Sequence, residues 1–82
     1  MSSSTDRIVY RRADGAWVNR RISAKRPSSV HTTQIAAAIA ARIALVESGG
    51  GELTITAPSG RIRRRDRIGG AGGPEAIRDR EH

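Results

Sequence analysis

Residues 49–66 read Gly-Gly-Gly-Glu-Leu-Thr-Ile-Thr-Ala-Pro-Ser-Gly-Arg-Ile-Arg-Arg-Arg-Asp, a helix stop followed by a strand, a turn and a second strand. Gly49, Gly50 and Gly51 stop a helix, because glycine takes the left-handed conformation that closes a last turn without a Cβ penalty. Leu53, Ile55 and Ala57 then alternate with Glu52, Thr54 and Thr56, the period of a strand with one buried face. Pro58-Ser59-Gly60 supplies a turn. Residues 61–65 resume as a strand, with Ile62 expected toward the core and Arg61, Arg63 and Arg65 on the opposite face.

Upstream, the run from Gln34 to Ser48 is rich in alanine and spaces Ile35, Ile39, Ile43 and Val46 by four, four and three residues. That spacing is one face of an α-helix, with Thr32 or Thr33 placed to cap its first turn. The isoleucine face is the expected core face, so Ile39→Asp is expected to unfold the domain by burying an unpaired charge. Because the remaining circumference is mostly alanine, with Arg42 and Glu47 as its charges, the helix is expected to be covered on more than one side.

Further upstream, residues 7–12 and 16–22 read as β-branched and aromatic strands around Asp14-Gly15, a hairpin turn signal. Trp17 and Val18 are adjacent and must face opposite sides of a regular strand. Residues 23–30 lack apolar periodicity and read as a loop. The expected fold is therefore α+β: two antiparallel β-hairpins flanking one α-helix in β-β-α-β-β order, the helix packed on one face of the sheet. Residues 1–6 are expected to be a disordered lead-in and residues 7–68 the domain. Residues 69–82, which open with Gly-Gly-Ala-Gly-Gly-Pro, are expected to be a flexible tail.

With no cysteine and two histidines, the chain offers neither disulfide staples nor a zinc constellation. No apolar run is long enough to span a bilayer, and the polar N-terminus has no signal-peptide core. A cytoplasmic protein without cofactor, metal or small-molecule substrate is expected. His31 lies near Ser28 and Ser29, but nucleophile elbow, oxyanion loop and pocket signals are missing, so it reads as a capping or surface histidine and the chain as no enzyme.

Fifteen Lys and Arg against eight Asp and Glu give a net charge of +7. Between Arg7 and Arg67 the balance is thirteen to four, so the excess sits in the domain. Arginine dominates, which favours planar, bidentate contact with phosphate or carboxylate; a genome rich in G and C inflates arginine and alanine as well. The candidate nucleic-acid contacts are Arg61, Arg63 and Arg65 beside Thr54 and Thr56, with Arg20, Arg21, Lys25 and Arg26 in support. Glu52 and Asp66 are their candidate acidic neighbours. A charged strand also protects a sheet edge from pairing. The expected partners are a DNA or RNA backbone or, as the alternative function, a protein partner or a second copy in a homodimer.

Asp14-Gly15-Ala16-Trp17, the run Arg26-Pro27-Ser28-Ser29-Val30-His31, and the run from Gly50-Gly51-Glu52-Leu53 through Gly60-Arg61-Ile62-Arg63 to Asp66 resemble the bacterial domain of unknown function 2188 family. The likeness covers roughly residues 7–70. It departs after Asp66, where this chain has Arg67 and Ile68, and in a helix richer in alanine. The resemblance implies a compact β-β-α-β-β domain and supplies no catalytic residues.

Overall fold

Both expected hairpins form, and the same loop closes each. In the computed structural model, which describes residues 5–69, β1 (Arg7–Arg11) pairs with β2 (Trp17–Arg21) and β4 (Gly50–Thr56) with β5 (Ile62–Gly69), both antiparallel. Arg12 N donates to Ala16 O at 2.7 Å and Gly15 N to Arg12 O at 2.9 Å; Ala57 N donates to Arg61 O and Gly60 N to Ala57 O, both at 2.8 Å. Each loop is thus three residues long and ends on a glycine with positive φ, +90° at Gly15 and +95° at Gly60.

Asp14 fixes the first loop. Its carboxylate accepts the Ala16 N–H at 3.0 Å and pairs with Arg12 Nη2 at 2.9 Å. Those contacts, the Ala16 N–H foremost, hold its carboxyl below the ordinary carboxylate range. Since the folded value is depressed, Asp14 stabilises the hairpin fully above the unfolded carboxylate pKa, and this is lost as pH falls through the folded value. Carboxyl NMR should therefore give a midpoint for Asp14 below about 3.9; a midpoint at or above it would show the turn contacts are not made in solution.

A parallel pairing of β1 with β4 joins the two hairpins, and with a further strand, β3 (Ser29–His31), corrects the expected two-hairpin arrangement to one mixed five-stranded sheet in the order β3-β2-β1-β4-β5. Strand β3 reverses the direction of β2, and the crossover from β3 to β4 through helix α1 (Gln34–Glu47) returns the chain in the direction of β3, which is that of β1. Strand β3 (Ser29–His31) pairs antiparallel with β2 where a loop was expected. Three residues reading Ser-Val-His are too few to show a period. Thr5 and Asp6 are tied as well: Thr5 Oγ1 donates to Gly50 O at 2.8 Å, and Asp6 Oδ1 accepts from Glu52 N at 2.9 Å. The expected tail beyond Gly69 lies outside the described residues.

Helix α1 packs on one face of the sheet. Thr33 caps it, its Oγ1 accepting from Ala36 N at 3.1 Å, and Gly49 follows the C-cap Ser48 with φ +99°. The buried face is Ala37, Ala41 and Leu45, against Val9, Trp17, Leu53, Ile55 and Ile68 of the sheet, with Ala38 and Val46 half-buried beside them. Ile35, Ile39 and Ile43 instead point outward, 71%, 54% and 53% exposed. This overturns the expected core face and, with it, the expectation that Ile39→Asp unfolds the domain. The physical reason is close approach: two alanines a turn apart bring the helix axis near the sheet, and the sheet's own large residues fill the space.

Polar groups on the helix side form a chain that runs from the buried Arg7 and Asn19 to the half-buried Ser29 and His31, with the exposed Ser28 beside Arg7. Arg7 Nη1 donates to Asn19 Oδ1 at 3.0 Å and Ser28 Oγ at 2.9 Å, Asn19 Nδ2 donates to Ser29 Oγ at 3.1 Å, and Ser29 Oγ lies 2.7 Å from His31 Nε2. Burial, and then Arg21 nearby, lower the Arg7 pKa. His31 is thereby an end of this structural chain on β3, rather than a helix cap.

Candidate functional site

Successive residues of a strand alternate faces, so Arg61, Arg63 and Arg65 share one face only if their strand is regular. It is not. Ile55 lies opposite Arg64 and Thr56 opposite Ile62, which leaves Arg63 as the extra residue of a β-bulge. The bulge turns Arg63 and Arg64 to the helix side. There Arg63 Nη1 donates to Gln34 Oε1 at 3.3 Å, while Arg64 Nε lies 3.1 Å and Arg42 Nη2 3.8 Å from Asp66 Oδ2. Ile62 goes to the other face and is 53% exposed, which corrects its expected core position. Arg61 lies outside the strand, in the loop closure.

Arg65 stays on the face that α1 does not cover, opposite Thr54, and Arg67 joins it there opposite Glu52. Arg67 was missed because the strand runs on to Gly69, past the expected end at Arg65. The register then makes one row across the sheet: Arg20 faces Ile8, Ile8 faces Thr54, and Thr54 faces Arg65. At roughly 4.8 Å per strand the two arginines are about 14 Å apart at the backbone. In the neighbouring row Val18 lies between Tyr10 and Val30.

Arg20 is held in place. Its guanidinium lies 5.7 Å from the centre of the Tyr10 ring, and Nη1 donates to Ala24 O at 2.6 Å and Ile22 O at 3.3 Å. Tyr10 is half-buried on this uncovered face opposite Val18, whereas Trp17 is in the core under the helix, so of the adjacent pair Trp17 faces the helix and Val18 the other side. Arg21 faces Arg7 on the helix side, and Lys25 and Arg26 are exposed in the β2–β3 loop. That loop is at the end of the sheet opposite Arg61 and the β4–β5 turn. The structure therefore brings together Arg20, Arg65 and Arg67, leaves Lys25 and Arg26 on the loop to which Arg20 is bonded through Ala24 O, and sets Arg21, Arg61 and Arg63 apart.

Among the described residues, no group of three or more His, Cys, Asp or Glu is placed to hold a metal, and no helix is long and apolar enough to cross a membrane. No curated protein and no solved structure matches the chain. Residues 7–68, however, match the family model described as an uncharacterized protein conserved in bacteria. The hairpin turn at Asp14-Gly15, the Gly-Gly-Glu-Leu start of β4 and the Arg-Ile-Arg start of β5 all lie inside that match, and the chain belongs to the domain of unknown function 2188 family.

Proposed function

We propose that this domain is a binding module without chemistry of its own, and that its uncovered sheet face contacts nucleic-acid phosphates. The observation that carries the reading is the row Arg20–Ile8–Thr54–Arg65 with Arg67 beside it, on a face that the helix leaves open. Glu52 opposite Arg67 is the acidic group of that face, so the cations outnumber it. Guanidinium groups are suited to phosphate oxygens, and such contacts position a backbone without reading its sequence; Thr54 is buried between the arginines and serves as a spacer. The domain's surplus of thirteen basic over four acidic side chains between Arg7 and Arg67 adds long-range attraction.

Anisotropy titrations with unrelated DNA and RNA duplexes at two salt concentrations test this. Binding should weaken with salt, the log-log slope being about −0.9 per phosphate contacted on duplex DNA. The triple variant Arg20→Ala, Arg65→Ala, Arg67→Ala should make that slope shallower by up to about 2.7, at about 0.9 per lost contact. Arg42→Ala, on the helix side of the domain, should change it less. Binding weaker than about 100 μM at low salt would end the reading, since non-specific binders reach that range at physiological salt.

A further inference from the structure

Apart from Arg42, which lies near Asp66, and Glu47, the exterior of α1 is apolar where a monomer's helix is normally charged. Ile35, Ile39 and Ile43 form an i, i+4, i+8 ridge, flanked by the half-buried Ala36 and Ala40. Beside the ridge, between α1 and β5, runs an open cleft of about 350 Å³. Its floor is Ala38, Leu53 and Ile55, and Arg63 and Arg64 lie along its β5 side. A ridge and a groove side by side on one surface are self-complementary under a twofold axis, because each copy can seat its ridge in the groove of the other.

We propose that this face is the interface of a homodimer in which two α1 helices pack antiparallel. Rows of i±4 side chains interdigitate when helices cross at about 50°. If the axis lies between Ile39 and Ile43, each Ile39 meets Ile43 of the second copy, and Glu47 comes to the helix start of the second copy. That end carries Arg63, which donates to Gln34. Among the described residues Glu47 has no ion-pair partner, so the arrangement supplies one and also places a carboxylate at a helix N-terminus. Of the sheet's two edges, β3 is only three residues long, and pairing through β5 would bring together the arginines of both copies, Arg63, Arg64, Arg65 and Arg67, which like charge disfavours.

The fourteen-residue helix is about 21 Å long. A strip of that length, one helix and one cleft wide, falls below the roughly 800 Å² per partner of stable complexes. Dimerisation should accordingly be weak, with a dissociation constant in the micromolar range. Sedimentation velocity of the full chain from about 1 to 500 μM, with circular dichroism on the same samples, tests it. The expected result is a reversible monomer–dimer equilibrium, weakened about thirtyfold or more by Ile39→Asp and unchanged by Val30→Asp on the uncovered sheet face.

Glu47→Arg and Arg63→Glu should each weaken the dimer, and the two together should restore it. A monomer at every concentration, or a dimer indifferent to Ile39→Asp, would overturn the proposal. So would a melting temperature of Ile39→Asp at monomeric dilution lowered as far as that of a core truncation such as Leu45→Ala, because the ridge would then be core. Charge variants whose effects simply add would overturn the antiparallel arrangement. None of these outcomes bears on phosphate binding, which uses the opposite face of the sheet.

Discussion

Leu45→Ala is expected to destabilise the domain by about 3–5 kcal/mol, the range for a leucine removed from a core that collapses only partly around the cavity. Leu45 has no exposed surface and is among the largest fully buried side chains. On the same face, Ala37 and Ala41 have no bulk to move into the space. A domain of this size has a total stability of only about 3–9 kcal/mol, so the variant should be barely folded at room temperature. The decisive comparison is Ile39→Ala, measured by urea denaturation at monomeric dilution. Ile39 is 54% exposed and its truncation should cost well under half as much. Equal costs would show that the helix is rotated in solution relative to the face described.

Gly51→Val should be comparably severe, for two reasons that add. The backbone at Gly51 has φ +153°, which side chains rarely adopt, and a Cβ there would lie 2.8 Å from Thr5 Oγ1 and 3.0 Å from both Asp6 Oδ1 and Leu45 Cδ2. Those neighbours are not free to retreat. Thr5 is bonded to Gly50 O, Asp6 to Glu52 N, and Leu45 fills the core. The expected loss is about 3 kcal/mol or more, from overpacking together with a strained conformation. Gly49→Ala separates the two causes: its φ is +99° but nothing lies within 4 Å of the new Cβ, so it bears only the backbone term. That term is about 1–2 kcal/mol. If thermal melts ranked the variants the other way, the packing around Gly51 would have to be looser than described.

Local signals in the sequence carried most of the fold. Asp14-Gly15 and Pro58-Ser59-Gly60 mark their turns, Thr33 its cap and Gly49 the helix stop, because each depends on a few neighbouring residues. What failed to show were choices made by tertiary packing. The helix has two stripes at helical spacing, Ile35–Ile39–Ile43 and Ala37–Ala41–Leu45, and hydrophobicity favours the first while closeness to the sheet selects the second. The bulge at Arg63 has no glycine or proline to announce it, and that single extra residue decides which arginines share a face. Arg65 and Arg20 were legible as candidates; that they lie in one row depends on the parallel pairing of β1 with β4, for which no short-range signal exists.

The interior position of β1 also shapes how the chain can be made. Its first edge is covered as soon as β2 has been synthesised, but its second waits for β4, whose last residue, Thr56, follows Arg11 by 45 positions. At translation speeds of about 5–20 residues per second, that edge stays open for about 2–9 s. Throughout this interval the nascent hairpin presents unsatisfied backbone groups beside Val9, a template for unwanted pairing with neighbouring chains. Arg7, Arg11 and Arg12 stand on or next to that edge, and their mutual repulsion between nascent copies guards it until the last strands arrive.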